Sequence, residues 1–143
     1  MISTPLSEEH WLEEHPGYHQ QITGEEAELR LRKNGGHCYL TRFNKDLNCY
    51  ILSVYEKQGS SAIMRHFKIL IVNGKRKKID GLNREFDDVI SLLEYYEQHR
   101  VDPALRSIGK AYTESTYKQH FQQGELERQR VIRRRRRFRC IIQ

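Results

Sequence analysis

The stretch HCYLTRFN, residues 37–44, gives the strongest indication of the fold. Its composition is typical of an extended chain and predicts a strand over residues 37–43. Side chains alternate between the two faces of a strand, so Leu40 and Arg42 point to the same side. A charged guanidinium in a core-facing row needs an anionic partner, because an unpaired buried charge is costly. That partner is either a carboxylate of the chain itself or an anion bound from outside.

A helix is predicted on each side of this region along the chain. Thr23 followed by Glu26 forms a capping box, which predicts a helix that continues through Lys33 and stops at the glycine pair 35–36. A second helix is predicted after Asp87 or Asp88, because Val89, Leu92, Leu93 and Tyr96 form one apolar stripe at helical spacing. Pro103 marks its end.

Further strands are predicted between the two helices, at residues 49–55, 62–72 and 75–79. The links between them are short, and Asn73 followed by Gly74 is typical of a hairpin turn, so the strands are expected to pair antiparallel. The predicted fold class is therefore α+β, with a central antiparallel sheet flanked by two α-helices.

Composition limits the classes of function. The chain has 143 residues, 31% of them charged, which is enough for one domain, and no apolar run is long enough to span a membrane. The first residues are acidic, which does not predict a secretory signal. The three cysteines, Cys38, Cys49 and Cys140, are too few and wrongly spaced for a metal cluster and indicate a reduced intracellular protein. No catalytic constellation is visible, so we expect neither an enzyme nor a cofactor.

The net charge of +6 is unevenly placed. Residues 125–143 hold eight arginines and two glutamates, whereas the preceding residues hold equal numbers of basic and acidic side chains. Within that neutral body, residues 29–78 carry twelve basic side chains against Asp46 and Glu56. A basic middle in a neutral body predicts an anion site of limited size.

The residues around Arg42 resemble the signature strand of the Src homology 2 (SH2) domains. Tyr39, Leu40, Thr41 and Arg42 match the family pattern, while Phe43 and Asn44 replace its Glu-Ser. The resemblance continues in order over roughly residues 17–110, at residues 18–23, 50–54, 65–69, 86 and 92–96. It implies an SH2-like fold that binds phosphotyrosine, a group with about −1.5 to −2 charges and three acceptor oxygens.

The resemblance also implies roles for individual residues. Arg42 is the essential phosphate ligand, since its planar fork can grip two phosphate oxygens at once. The other residues implied to contact the phosphotyrosine are Asn44, Lys45, His66 and Lys68. Those implied to line the channel and pocket for the following residues of the peptide are Phe67, Ile79, Gly81 and Leu82.

The sequence departs from the family at two positions that bear on affinity. Gly24 stands where the family usually has a second phosphate-binding arginine, and Gly17 stands where it has an entry tryptophan. Trp11, six residues earlier, is a candidate substitute for that tryptophan. The departures imply a weakened or relaxed pocket without arguing against the fold.

Residues 113–143 are predicted to form a tail outside the core, with helical parts allowed, that follows an N-terminal extension (1–16) and the SH2-like domain (17–112). Its last four residues, Cys140, Ile141, Ile142 and Gln143, match the prenylation pattern, and basic residues stand directly upstream: Arg133, Arg134, Arg135, Arg136, Arg137 and Arg139. A lipid chain and a polybasic patch together suffice for stable anchoring. The alternatives are a nuclear-import or nucleic-acid-binding segment, or a solvated tail without a role. Tyr112 and Tyr117 are expected to be ordinary exposed tyrosines, with phosphorylation and binding in cis or in trans as the alternative.

The expected function is that of a non-catalytic adaptor, or a competitor for phosphorylated sites, in tyrosine-kinase signalling. Its expected partners are tyrosine-phosphorylated proteins and an anionic membrane surface, with nucleic acid only under the alternative of a degenerate SH2-like scaffold with an arginine-rich tail. A monomer is expected in the cytoplasm, at the inner face of the plasma membrane or an endomembrane, with the nucleus as the alternative location.

Overall fold

A computed structural model of the protein describes residues 12–142, and the side chains of residues 12–135. Trp11 and the side chain of Cys140 therefore lie outside the described residues. The elements in chain order are α1 (Gly24–Asn34), β1 (His37–Asn44), β2 (Cys49–Gln58), β3 (Ser61–Val72), β4 (Arg76–Ile79), α2 (Val89–Gln98), β5 (Lys110–Ala111) and α3 (Glu114–Ile142).

The strands form one sheet in the order β4-β3-β2-β1-β5. Strands β1 to β4 pair antiparallel, as the short links predict, and β5 pairs parallel with β1 through Cys38–Lys110 and Tyr39–Ala111. The predicted α+β class, with a sheet between two helices, is confirmed. Strand β5 was not predicted, because two residues have no periodicity and only the pairing with β1 makes them a strand.

The helix starts follow from local capping. Thr23 Oγ1 accepts from the Glu26 amide at 3.1 Å, and Asp88 Oδ1 accepts from the Ser91 amide at 2.7 Å. Each side chain satisfies one amide that has no partner within its helix. Asp88, not Asp87, is therefore the cap of α2, and that helix ends at Gln98, before the predicted limit at Pro103.

Strand alternation sorts the core onto the two faces of the sheet. Tyr39 of β1 packs with Leu52, Val54 and the buried side of α2. Leu40, its neighbour, packs on the opposite face against α1. Because Arg42 is two residues beyond Leu40, its side chain leaves the sheet on the α1 face.

The region after Tyr112 is helical, as the sequence allowed in parts, but its start is packed against the core rather than outside it. It forms one continuous helix, α3, whose first turns pack against α1. Tyr112 is only 2% exposed, and the guanidinium carbon of Arg30 lies 4.0 Å from the centre of the Tyr117 ring. Tyr112 Oη lies 3.0 Å from His120 Nδ1. The expectation of two ordinary exposed tyrosines is wrong, because aromatic and histidine side chains recurring every three or four residues form a docking face. No helix in the described part of the chain is both long and apolar enough to cross a membrane.

His19 ties α3 to the body of the domain. Its ring is fully buried, Nε2 donates to the Tyr112 carbonyl at 2.6 Å, and Nδ1 accepts from Arg30 Nη1 at 3.0 Å. These two bonds require the neutral ring, since a protonated ring would offer a donor to the guanidinium. Burial lowers the pKa of His19 below its ordinary value of 6.5, although the Tyr112 carbonyl opposes that shift.

Stability should therefore fall as the pH is lowered. With a folded-state pKa below 6.5, the unfolded chain binds more protons than the folded one, so the stabilisation is present above pH 6.5 and lost below it. His19→Gln keeps one donor and one acceptor and removes the titration. We expect urea unfolding to show a smaller loss of stability between pH 7.5 and 5.5 in this variant than in the wild type. Burial also lowers the pKa of His15, so part of the slope should remain. An unchanged slope would contradict the assignment.

Candidate anion-binding site

Arg42 lies on β1 with its guanidinium at the face that α1 covers. The residue is only 5% exposed, and its Nε donates to Ser53 Oγ on β2 at 3.1 Å. Ser53 shares this face because Ile51 is paired with Arg42 and Ser53 is two residues further along β2. A buried hydroxyl thus fixes the direction of the guanidinium.

The terminal nitrogens of Arg42 are weakly satisfied. Nη1 donates to the Ile22 carbonyl at 3.4 Å, and Nη2 lies 3.5 Å from His66 Nδ1. Both separations are longer than ordinary protein hydrogen bonds. Within residues 12–135, no carboxylate forms an ion pair with Arg42. Of the two partners the sequence allowed, a carboxylate of the chain itself is therefore not found among the described side chains. The free donor capacity suits an external anion with several acceptor oxygens.

A directed chain of hydrogen bonds extends from Arg42 to the protein surface. Ser53 Oγ lies 2.8 Å from His66 Nδ1, and His66 Nε2 lies 2.8 Å from Glu28 Oε2. The carboxylate can only accept, so His66 Nε2 donates to Glu28, and in the corresponding tautomer Nδ1 accepts from Ser53 Oγ. Each group in the series from Arg42 through Ser53 and His66 to Glu28 donates to the next. The ring of His66 is thereby held in one tautomer and one orientation.

The charges of the site act on one another. Burial lowers the pKa of the Arg42 guanidinium, while Cys49 and Glu28 favour its charged form. Arginine nevertheless stays protonated in proteins. The hydrogen bond from His66 lowers the pKa of Glu28. Burial raises the pKa of Cys49, against the fields of Lys68 and Arg42. The site therefore holds a permanent positive charge beside an ionised carboxylate.

The structure brings together three of the residues implied to bind the phosphotyrosine. His66 and Lys68 of β3 lie on the Arg42 face, since they are paired with Ser53 and Ile51, and Lys68 is exposed. The other two, Asn44 and Lys45, lie at the turn that follows β1. Asn44 Oδ1 accepts from the Leu47 amide at 3.0 Å, which leaves only its amide N–H groups to face an anion.

The residues implied to contact the rest of a peptide lie on the α2 side. Phe67 and Leu82 are half-buried against the α2-side core, and Gly81 is exposed with a φ of 93°. Ile79 is fully buried, so its predicted place in the lining of an open channel is not supported. Its side chain instead forms part of the core beneath Phe67 and Leu82.

Two residues of the site were missed in the sequence. Ser53 could have been found as the polar residue in the apolar run of β2, in the row that faces Arg42. Glu28 had no such signal, because its contact with His66 joins positions 38 residues apart. A Cβ atom at Gly24 would lie 3.4 Å from Arg42 Nη2, so the position of the family's second arginine borders this guanidinium. In the described part of the chain, no cluster of histidine, cysteine and acidic side chains could hold a metal ion.

Comparison with known proteins accounts for this geometry. Residues 18–96 match the SH2 domain family model, which is more than half of the chain. The chain belongs to the SH2 domain family. SH2 domains are non-catalytic modules that bind tyrosine-phosphorylated proteins in signalling.

Solved structures support the same fold. The SH2 domain of the CRK/CRKL homolog of Monosiga brevicollis, determined by solution NMR, superposes with a TM-score of 0.56 at 22% sequence identity. The similarity covers 69% of this chain and 88% of that domain. No curated protein sequence matches the chain.

The burial of Arg42 without an ion-pair partner among the described side chains leads to a prediction about stability. A buried charge without an ion-pair partner is costly, and an apolar side chain of similar length in its place removes that cost. Arg42→Met should therefore change the free energy of unfolding by less than about 1 kcal/mol, or raise it. Arg30→Met is the control, because Arg30 contacts Glu26, His19 and the Tyr117 ring, and it should destabilise by about 1–3 kcal/mol. Urea unfolding measures both. A loss of more than about 2 kcal/mol in Arg42→Met would show that Arg42 has a structural role.

Proposed function

We propose that this SH2 domain docks phosphotyrosine segments through Arg42 and acts as a non-catalytic adaptor, or as a competitor that occupies phosphorylated sites. The observation that carries the proposal is the guanidinium of Arg42, which is buried, fixed at Nε by Ser53, and has only long contacts at Nη1 and Nη2. Those two nitrogens form the fork that grips two oxygens of a phosphate.

The surroundings of the fork suit a phosphate group on an aromatic ring. His66 and Lys68 lie in the same row of β3, so the ring would lie beside them while the phosphate reaches Arg42. Lys45 of the turn after β1 is exposed and adds a positive charge near the phosphate. Gly24 leaves open the space beside Arg42 Nη2, so the phosphate would lack a second arginine and affinity should be modest.

The rest of a bound peptide would cross toward α2. Phe67 is on β3 next to His66 but on the other face, where it packs with Leu82 against the core. These two side chains offer apolar surface, and we propose that they favour apolar residues after the phosphotyrosine. Ile79 would act only as support beneath them.

Binding to phosphotyrosine peptides tests the docking proposal. A library of such peptides should yield ligands for the wild type, Arg42→Ala should abolish binding, and Arg42→Lys should weaken it at least about tenfold because a point charge cannot replace the planar fork. Arg106→Lys is the matched control: Arg106 is 85% exposed in the loop before β5, and its replacement should leave affinity unchanged. Calorimetry on the full chain gives the affinities. A folded wild type that binds no phosphopeptide would contradict the proposal.

We further propose that α3 places the domain on an anionic membrane surface. The start of α3 is fixed to the core by Tyr112 and Tyr117. Eight arginines follow in the second half of the helix. Val131 and Ile132 are exposed by 43% and 48%, and Arg128 and Arg135 flank them one helical turn away. An apolar strip between arginines is typical of a helix that lies in a membrane interface, where the arginine heads reach the lipid phosphates.

Cys140 would add a lipid to this attachment. It is followed by two isoleucines and a glutamine, which matches the farnesylation pattern. One chain gives marginal binding, so the arginines of α3 would supply the second signal that retention requires.

Vesicle flotation with protein that carries no lipid on Cys140 tests whether α3 alone binds a membrane. Binding should appear with vesicles that contain phosphatidylserine and not with phosphatidylcholine alone, and Val131→Gln with Ile132→Gln should weaken it severalfold. Leu126→Gln is the control, since Leu126 is similarly exposed, by 54%, but lies about 120° or more around the helix from both. Equal losses in both variants would contradict the proposed face.

The lipid is tested in cells. Cys140→Ser should release the protein from membranes while phosphopeptide affinity stays unchanged, and mass spectrometry should detect the modified cysteine. An unmodified Cys140, together with RNA binding that falls steeply with salt, would favour the nucleic-acid alternative.

A further inference from the structure

The entrance to the Arg42 site holds a carboxylate. Glu28 Oε2 accepts from His66 Nε2 at 2.8 Å, where both side chains are about one-third exposed, while Ser53 at the other side of the ring is fully buried. The other carboxylate oxygen of Glu28, Oε1, accepts from Arg32 Nη2 at 3.4 Å. The bond between Glu28 and His66 therefore forms the solvent-exposed end of the hydrogen-bond chain.

Helix α1 borders the site with a glycine and an acidic residue. Gly24 borders Arg42 Nη2, and Glu28 follows four residues later, which is one turn along the same face of the helix. The row of α1 that borders the site thus contributes an acidic side chain and no basic one at these two positions. A phosphate entering the site meets Arg42 and Glu28 together.

A carboxylate and a phosphate compete for the same kind of partner. Glu28 accepts from His66 Nε2, a donor that a phosphate oxygen would otherwise use. A phosphotyrosine also carries about −1.5 to −2 charges, and a carboxylate beside it repels it. The cost is moderate, because about one-third of the Glu28 side chain is open to solvent.

We propose that Glu28 is an intramolecular competitor of the phosphate group, one that occupies His66 Nε2 in the free protein and gives up this donor when a phosphotyrosine binds Arg42. The inference rests on the proposed function of the Arg42 site and assigns the limit on its affinity to one residue. Removing the carboxylate should improve binding, which distinguishes this role from that of a residue that supports the site.

Phenyl phosphate is a suitable probe, because it reaches the phosphate site without the rest of a peptide. Titrations of the full chain followed by NMR should show that Glu28→Gln binds it about three- to tenfold more tightly than the wild type. The difference should shrink as sodium chloride is raised from 20 to about 500 mM, since salt screens the repulsion. Glu94→Gln removes the same charge from an exposed position on α2, across the sheet, and should bind like the wild type.

The resonance of His66 Nε2 gives a second readout. Saturation of the wild type with phenyl phosphate should shift it, and free Glu28→Gln should lack the signature of a carboxylate partner from the start. Equal or weaker binding by a folded Glu28→Gln would overturn the competitor and leave the phosphate site standing, provided that the wild type binds and Arg42→Ala does not. Absence of binding by every folded variant would overturn both the competitor and the site.

Discussion

The structure depends on one buried positive charge, which lies on the face of the sheet that α1 covers. Arg42 is almost fully buried on β1, and within the described residues its partners are a hydroxyl, a carbonyl and a histidine ring rather than a carboxylate. Leaving a charge without an ion pair costs stability, and the apolar core around it must offset that cost. Because no carboxylate among the described residues pairs with the guanidinium, it is available to an external anion. The missing ion pair therefore lowers stability and supports binding.

Because side chains alternate along each β strand, the two faces of the sheet carry a polar site and an apolar core. On the α1 face, β1, β2 and β3 contribute Arg42, Ser53, His66 and Lys68 to a polar site. On the α2 face, the same strands contribute Tyr39, Leu52 and Phe67 to the larger apolar cluster. Adjacent residues such as His66 and Phe67 therefore face different environments, and a ligand that crosses β3 would meet charge first and apolar surface second.

Helix α3 extends this arrangement beyond the domain. Its first turns are fixed by buried His19, by Arg30 and by the ring of Tyr117, whereas its side chains at residues 126–135 are exposed. Because the first turns of α3 are packed against the domain, the arginine-rich part of the helix has a defined direction relative to the domain. Any surface bound by those arginines would hold the domain in a preferred orientation, unlike a flexible tail of the same charge.

Local signals in the sequence determined most of the elements and the central residue of the site. Thr23 and Asp88 cap their helices within one turn, the turn at Asn73 and Gly74 sets a hairpin, and period-two alternation puts Arg42 in a core-facing row. These are interactions among residues a few positions apart, so composition and spacing suffice to predict them. The resemblance to the SH2 family added phosphotyrosine as the anion to expect there.

Only the tertiary structure decided which groups surround that charge. The contact between Glu28 and His66, the pairing of β5 with β1, the docking of α3 and the burial of Ile79 all join distant parts of the chain. Each depends on strand register and on the packing of helices across a sheet, which no local pattern encodes. The sequence by itself therefore placed Arg42 in a core-facing row that requires an anionic partner. The fold left it without a carboxylate partner among the described residues, because Glu28, whose charge acts on Arg42, bonds to His66 instead.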